Sequence, residues 1–274
     1  MTKIILVTGA TDGIGLETSK MLVSAGHHVL VHGRNPVKLD KTRAMLAKLS
    51  DETLVTSYEA DLSRMVDVEK LADSVLETHP RLDVLINNAG VYSVSQSMTE
   101  DGLDMRFAVN TIAPYLLTHK LLKSIGTSGR VINVSSAAQS AVNLDALMGN
   151  FALSDGEAYA QSKLALIMWS QQLISSLGEN SPTIITVNPG SFLGSKMVKE
   201  AYGIDGKDIG IGAKILFDLA LANQFGDASG KYFDNDSGRF AQPHRDALNE
   251  QKKQNLVDAI NTILAGINGL SNPN

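Results

Sequence analysis

A tyrosine and a lysine in the stretch AYAQSKLA, residues 158–165, are spaced for proton chemistry. Tyr159 precedes Lys163 by four residues in a segment with a helical pattern of apolar residues, so both side chains lie on one helix face. A nearby ammonium lowers the pKa of a phenol, which would let Tyr159 exchange a proton near neutral pH. Taken alone, such a pair is more often a chance pairing on an exposed helix face. The rest of the sequence must decide between a chance pair and an active site.

Three glycines follow the first predicted strand, 3–8, in the stretch TGATDGIG. Gly9, Gly13 and Gly15 would permit a tight turn and a close approach of backbone to a pyrophosphate, and a helix beginning near Ile14 would offer free N–H groups. The spacing differs from the common G-x-G-x-x-G, and glycines there can be turn residues alone. Their place at the first strand–helix turn favours a dinucleotide site.

The end of the second predicted strand discriminates between NAD and NADP. An acidic residue there would bind the ribose 2′-hydroxyl, whereas an arginine accepts a 2′-phosphate. The sequence VLVHGRNPVKL has no acidic residue; Arg34 follows the strand, and Lys38 comes one helical turn later. The alternative is a solvated arginine before a helix cap. We predict a preference for NADP(H) over NAD(H).

Short β-rich runs alternate with helical patterns along the chain, which predicts βαβ units with right-handed crossovers. Several strands are almost wholly apolar, as in a parallel sheet covered on both faces. The expected fold is a single-domain α/β, doubly wound (Rossmann) parallel sheet of about seven strands, over residues 1–274. The predicted strands are 3–8, 28–32, 53–58, 82–86, 130–135, 183–188 and 231–233. The predicted helices lie near 14–25, 36–49, 66–78, 101–124, 157–177, 210–223 and 244–265.

Two long connections, 137–156 and 189–209, do not fit simple crossovers. Both follow strands, at the carboxyl edge where open α/β sheets bind ligands, and long connections are often functional. We expect them, with 234–250, to form the walls of a largely apolar substrate pocket. The tail 268–274 is expected to be frayed.

Composition excludes several classes of protein. Of 274 residues, 43% are hydrophobic and 19% charged, which suits a folded domain with a full core, and the net charge of −5 without a basic run argues against nucleic-acid binding. The absence of cysteine excludes disulfides, thiolate catalysis and cysteine metal ligands, and the histidines form no metal pattern. Because no apolar run reaches the length of a signal-peptide core or a membrane span, we expect a soluble cytoplasmic protein.

Further motifs appear in order along the chain: the Asp61-Leu62 pair, NNAG at 87–90, Asn110 in a helical stretch, VSS ending at Ser136, and NPG at 188–190. Together with the glycine turn and YAQSK, they make the chain resemble the short-chain dehydrogenase/reductase family from end to end. Its finer features are similar to the retinol-dehydrogenase-like and carbonyl-reductase-like branch.

The resemblance implies roles for individual residues. Ser136, rather than Ser135, would orient a carbonyl oxygen, Tyr159 would supply its proton, and Lys163 would tune that phenol and bind the nicotinamide ribose. Asn110 would hold a water that links the lysine to solvent. A homodimer or homotetramer is also implied. The implied dinucleotide site consists of Gly9, Thr11, Asp12, Gly13, Ile14, Gly15, Arg34, Asn35, Lys38, Asp61, Leu62, Asn88, Ala89, Gly90, Tyr159, Lys163, Pro189 and Gly190.

One position departs from the family pattern. Similar proteins often have a threonine five residues after the proline of the PG pair, where it contacts the nicotinamide amide; here Gly194 stands there, followed by Ser195. Either Ser195 substitutes after a local shift, or the contact is missing.

These motifs favour an NADP(H)-dependent oxidoreductase that acts on a small-molecule ketone, aldehyde or secondary alcohol. The alternative is a non-catalytic NADP(H)-binding regulator on the same fold.

Overall fold

The computed structural model describes residues 1–267 and 270. In this part of the chain one sheet has eight strands in the order β3-β2-β1-β4-β5-β6-β7-β8, and only the pairing of the last two is antiparallel. The strands are β1 Ile4–Val7, β2 His28–Gly33, β3 Val55–Glu59, β4 Val84–Asn87, β5 Arg130–Val134, β6 Thr183–Asn188, β7 Tyr232–Asp234 and β8 Arg239–Ala241. The predicted fold class is confirmed, and β8 is an eighth strand that the sequence did not indicate.

The helices of the described residues cover both faces of the sheet. They are α1 Gly13–Ser24, α2 Pro36–Leu46, α3 Met65–Thr78, α4 Met105–Phe107, α5 Ala113–Ile125, α6 Leu144–Leu147, α7 Asp155–Leu177, α8 Lys196–Tyr202, α9 Gly210–Leu221 and α10 Glu250–Gly266. Short 3-10 turns lie at Glu52–Leu54, Gly178–Asn180, Asn223–Phe225 and Arg245–Leu248.

Strand alternation divides the core into two halves. In β1, Ile5 and Val7 pack into one apolar cluster with α1, α2 and α9, while Leu6 packs into the other, with α3, α5, α7 and α10. Successive side chains of a strand point to opposite faces, so a central strand buried on both sides must be apolar throughout. This is why the β1 run is continuous rather than alternating.

The chain order reverses between β1 and β4. From β1 the sheet grows through β2 and β3 in one direction, and from β4 through β5 and β6 in the other. A crevice therefore opens at the carboxyl ends of β1 and β4, the usual position of ligands in such folds.

Three predicted segments differ in detail. The helix expected over 101–124 begins at Met105 and contains a π-helical turn, Ala108–Ile112, between α4 and α5. The connections 137–156 and 189–209 contain the short helices α6 and α8. The tail 268–274 lies outside the described residues except for Leu270.

Among the residues that the structure describes, no helix has both the length and the apolar character needed to cross a bilayer.

Candidate active site

The turn after β1 can be built only with glycine at two positions. Gly9 has φ +64°, and a Cβ there would lie 2.8 Å from the Cα of Ala89. A Cβ on Gly15 would lie 2.3 Å from the carbonyl oxygen of Gly9. The turn is thus pressed against the neighbouring strand end, and α1 begins beside it, with Asp12 as its N-cap accepting from the Gly13 N–H at 2.8 Å.

The segment after β4 is fastened to this turn. The Asn88 side-chain amide donates to the carbonyl oxygens of Thr8 and Gly9 at 2.9 and 3.1 Å. The Thr8 hydroxyl in turn accepts from the backbone N–H groups of Asn88 and Ala89 at 3.0 and 3.1 Å. The NNAG motif therefore fixes the floor of the crevice, which explains the predicted importance of Asn88.

His32 supports the glycine turn, a role that was not predicted from the sequence. Its Nδ1 accepts from the Gly9 N–H at 3.2 Å, and its Nε2 is 3.1 Å from the Ala60 carbonyl oxygen. Burial lowers its pKa to about 4. The only signal in the sequence was a histidine that follows the apolar run Val29–Val31 in its strand.

Two cationic side chains lie where a 2′-phosphate is expected. Arg34 is exposed, and it lines the cleft together with Lys38, whose Nζ lies 3.7 Å from Asp12 Oδ2. Asn35 instead caps α2, accepting from the Lys38 N–H at 2.9 Å. Asp61 likewise bonds within its own loop, where its carboxylate accepts from the Ser63 backbone N–H at 2.9 Å.

The two adjacent serines after β5 have different surroundings. Ser135 is buried and its hydroxyl donates to the Lys163 carbonyl oxygen at 2.9 Å, so it holds the backbone of α7. Ser136 is partly exposed in the cleft, and its side chain hydrogen-bonds to that of Tyr159. The geometry agrees with Ser136, rather than Ser135, as the group available to a ligand.

Tyr159 and Lys163 sit on the first turns of α7, which starts with a capping box formed by Ser154 and Glu157. The Lys163 ammonium lies 5.7 Å from the centre of the Tyr159 ring and donates to the Val134 carbonyl oxygen at 2.8 Å. Burial lowers the pKa of Lys163 to about 8.

The pKa of Tyr159 is raised in the protein alone, whereas Lys163 together with a positively charged nicotinamide ring was expected to lower it. Burial is the main cause, with smaller contributions from the phenols of Tyr202 and Tyr92, and the Ser136 hydrogen bond opposes them. The lysine lies over the ring and is bound to a backbone carbonyl, so in this protein alone its charge does not offset the desolvation of the phenol. The phenol is therefore protonated at neutral pH.

Asn110 lies in the π-helical turn, a distortion that often occurs at functional sites. Its amide donates to the Val91 carbonyl oxygen and the Ser162 hydroxyl, both at 3.0 Å, and its oxygen accepts from the Val91 N–H at 2.9 Å. The expected water link is therefore limited to one remaining lone pair of the amide oxygen.

The segment after β6 forms the opposite wall. Its Pro189 and Gly190 line the cleft, and Asp236 holds the next residue by accepting from the Ser191 N–H at 2.9 Å. A Cβ on Gly194 would lie 2.8 Å from the Asp205 carbonyl oxygen, which excludes a threonine there without a backbone shift.

Ser195 lines the cleft one residue later. Its hydroxyl oxygen caps α8, accepting from the Val198 N–H at 3.2 Å.

A cleft of ≈ 840 Å³ joins these parts, running from the glycine turn to Tyr159 and Lys163. The predicted residues Gly15, Asn35 and Asn110, all described by the structure, lie behind its wall, and the other predicted site residues line it. The segment 137–156 contributes only Ala137 and Ala138, and within the described chain 234–250 contributes none, which corrects that expected wall.

The sequence is similar to known dehydrogenases. The family model "short chain dehydrogenase" matches residues 3–203. Polyprenol dehydrogenase of Homo sapiens is 37% identical over 202 residues, which cover 69% of this chain and 60% of that protein. Retinol dehydrogenase 13 of Homo sapiens is 32% identical over 254 residues, which cover 85% of this chain and 76% of that protein.

Solved structures resemble most of the chain. A crystal structure of an uncharacterized protein from Mycobacterium paratuberculosis has a TM-score of 0.78 at 25% identity, covering 95% of this chain and 92% of that one. A metagenomic short-chain oxidoreductase in complex with NADP has a TM-score of 0.62 at 28% identity, covering 81% of this chain and 92% of that one.

Proposed function

The chain belongs to the short chain dehydrogenase family, and from this premise we propose that it is an NADP(H)-dependent oxidoreductase that interconverts a ketone or aldehyde with its alcohol. The observation that carries the proposal is the convergence of Ser136, Tyr159 and Lys163 at one end of a cleft whose other end is a glycine turn.

The residues at the glycine end suit a dinucleotide. Gly13 has φ +58°, and the nearest atom to a Cβ there would be 3.8 Å away, so the backbone has open space beside the first N–H groups of α1. Those groups would hold a pyrophosphate, and Arg34 and Lys38 would pair with a 2′-phosphate. The similar oxidoreductase solved with NADP supports this choice of cofactor.

A bound NADPH would supply the hydride that reduces the carbonyl carbon, and would itself be oxidised to NADP⁺. The Tyr159 phenol, kept protonated by its raised pKa, gives its proton to the carbonyl oxygen as negative charge develops there. Ser136 donates a hydrogen bond to the same oxygen and orients it.

Lys163 and Asn110 help to position the groups around the Tyr159 phenol. The Gly90 backbone passes close to both, since a Cβ there would lie 3.3 Å from the lysine Nζ and 3.4 Å from the Asn110 Oδ1. Lys163 lines the cleft, and its ammonium would hold the nicotinamide ribose of a bound cofactor. Asn110 holds the Val91 backbone and Ser162, and so positions the segment that borders the lysine.

Tyr159→Phe tests the proposal. We expect the variant to fold and to bind NADPH, measured by cofactor fluorescence, but to lose carbonyl turnover by a factor of about 10² or more. Tyr58→Phe is the matched control, because Tyr58 does not line the cleft and its hydroxyl bonds to Thr78 and His79. Near-wild-type turnover by Tyr159→Phe would exclude Tyr159 as the acid.

Binding of NADPH by the wild type without turnover of any carbonyl compound would favour the regulator instead. The homodimer or homotetramer and the cytoplasmic location expected from the sequence stay predictions.

A further inference from the structure

Four aromatic rings form a row from the proposed acid to the mouth of the cleft. The Tyr92 ring centre lies 4.9 Å from that of Tyr159 and 5.9 Å from that of Tyr202. The Phe192 ring lies 5.3 Å from that of Tyr202, nearly at a right angle. These spacings are within the range of favourable aromatic pairs, and all four residues line the cleft.

The rings come from opposite walls. Tyr92 belongs to the segment after β4, whereas Phe192 and Tyr202 belong to the segment after β6, Tyr202 being the last residue of α8. The Tyr92 and Tyr202 rings lie next to each other across the opening, with their centres 5.9 Å apart. A molecule that reaches Tyr159 along this row must therefore slide between aromatic faces or displace Tyr202 from Tyr92.

The two outer rings are left largely uncovered. Phe192 is 49% exposed and Tyr202 53% exposed, although both are large and apolar. Adjacent exposed apolar side chains at a cleft mouth are typical of a ligand-binding surface. The charged neighbours on the same helix, Lys196 and Glu200, pair with each other at 3.4 Å, so the wall beside the rings favours a neutral ligand.

Phe192 also holds a strained backbone conformation. Its φ is +55°, and within residues 1–267 and 270 it is the only non-glycine residue with a positive φ. A residue with a Cβ adopts this backbone conformation only at a cost in free energy, and residues strained in this way concentrate at ligand sites. Glycine would relieve the strain but would remove the ring, so the position combines an unfavourable backbone with an exposed aromatic side chain.

From this row we infer that the site takes carbonyl compounds that carry an aromatic ring directly on the carbonyl carbon, with Tyr92 as the residue that determines this specificity. The inference rests on the proposed function. Because the Tyr92 ring centre lies 4.9 Å from that of Tyr159, an aryl group packed against Tyr92 would keep a carbonyl attached directly to it at the Tyr159 end of the cleft. A puckered saturated ring of the same size has no π face, so it loses the aromatic part of the contact with Tyr92.

The test compares two ketones of equal size, acetophenone and cyclohexyl methyl ketone, with NADPH. The readout is the ratio of their kcat/KM values, aryl over cyclohexyl, in variants relative to wild type, so that the intrinsic reactivity of each ketone cancels. We expect Tyr92→Leu to lower the ratio about threefold to tenfold, and Tyr92→Phe to preserve it, because the ring and not the hydroxyl makes the contact.

Two further variants complete the design. Tyr202→Leu, at an exposed position that tolerates replacement, should lower the ratio in the same direction and serves if Tyr92→Leu does not fold. Phe151→Leu removes an aromatic ring that is 56% exposed and does not line the cleft, and should leave the ratio unchanged.

An unchanged ratio in both Tyr92→Leu and Tyr202→Leu overturns the aromatic specificity but leaves the oxidoreductase standing. Turnover of the cyclohexyl ketone but not of acetophenone would also overturn the aromatic specificity and leave the oxidoreductase standing. Turnover of neither ketone by a wild type that binds NADPH counts against the aryl specificity and the proposed function together.

Discussion

Arg106 donates a hydrogen bond to Asp155 at 2.7 Å, and this contact joins the helical segment of Asn110 to the helix that carries Tyr159. Arg106 lies one helical turn before Asn110, and Asp155 lies one turn before Tyr159. The guanidinium is buried and also pairs with Asp104 at 2.7 Å. The ion pairs therefore fix the π-helical turn against the start of α7.

Replacing Arg106 with methionine should lower the free energy of unfolding by about 3 kcal/mol, because the buried carboxylate of Asp104 would lose its partner. Asp155→Asn should cost about 1 kcal/mol or less, since the Asp155 side chain is 48% exposed. Urea unfolding followed by the fluorescence of the buried Trp169 measures both. Equal losses in the two variants would contradict this unequal dependence.

The features that the sequence predicted are those with a local pattern. The buried β1 strand is a continuous apolar run, and the glycine turn follows it directly. The edge strand β8, Arg239–Ala241, is short and largely exposed and forms by pairing with β7, so it has no local pattern of apolar residues from which it could be predicted. The π-helical turn depends on Asn110 reaching Val91 and Ser162, which lie far away in sequence.

The site residues that were not predicted were missed for the same reason, because their contacts join distant parts of the sequence. His32 contacts Gly9 and Ala60, and Asp236 contacts Ser191, all across large separations in the chain. Lys163 does not lower the pKa of Tyr159 in the protein alone, because spacing places the lysine near the phenol but does not report the burial of either side chain. Helical spacing predicts proximity, whereas desolvation depends on the whole fold.

Arg34→Ala should raise the KM for NADPH about tenfold or more and change that for NADH less than about twofold, because a charge-assisted contact to the 2′-phosphate would be lost. Initial rates with each cofactor measure this. Arg43→Ala, on the exposed side of α2 away from the cleft, is the matched control. Equal effects on both cofactors would show that Arg34 does not bind the 2′-phosphate.

Adjacent serines should give opposite results. Ser136→Ala should lower kcat by about 10²-fold with little change in Tm, since its hydroxyl faces the cleft. Ser135→Ala should lower the free energy of unfolding by about 1 to 2 kcal/mol, because the buried Lys163 carbonyl loses its donor, with a smaller effect on kcat. Steady-state kinetics and thermal unfolding of the two variants separate these roles, and a reversed pattern would exchange them.

Asp236→Ala should loosen the cleft wall formed by Pro189, Gly190 and Ser191. The carboxylate accepts from the Ser191 backbone at 2.9 Å and from the Asn188 amide at 2.8 Å, so its loss releases the segment after β6. We expect KM for NADPH and for the ketone to rise about threefold to tenfold, with kcat less affected. Asp227→Ala, which removes the same charge at an exposed position, should change neither constant.

The buried imidazole of His32 predicts a loss of stability in mild acid. Burial lowers its pKa to about 4 in the folded protein, against an ordinary value of 6.5. Between these two pH values the unfolded chain binds a proton that the folded chain does not, so the free energy of unfolding falls as the pH drops from 6.5 towards 4. Below pH 4 this contribution levels off. One histidine shifted this far contributes about 3 kcal/mol.

His32→Gln isolates that contribution, because an amide oxygen can accept from the Gly9 N–H but does not titrate in this range. Burial lowers the pKa of His119 to about 4 as well, so the wild type loses stability from both groups. The free energy of unfolding, measured in urea from pH 7 to 4.5, should therefore depend less steeply on pH in His32→Gln than in the wild type, and His119→Gln should remove a second share. An identical pH dependence in His32→Gln and the wild type would mean that the imidazole under the glycine turn is protonated as readily in the folded protein as in the unfolded chain.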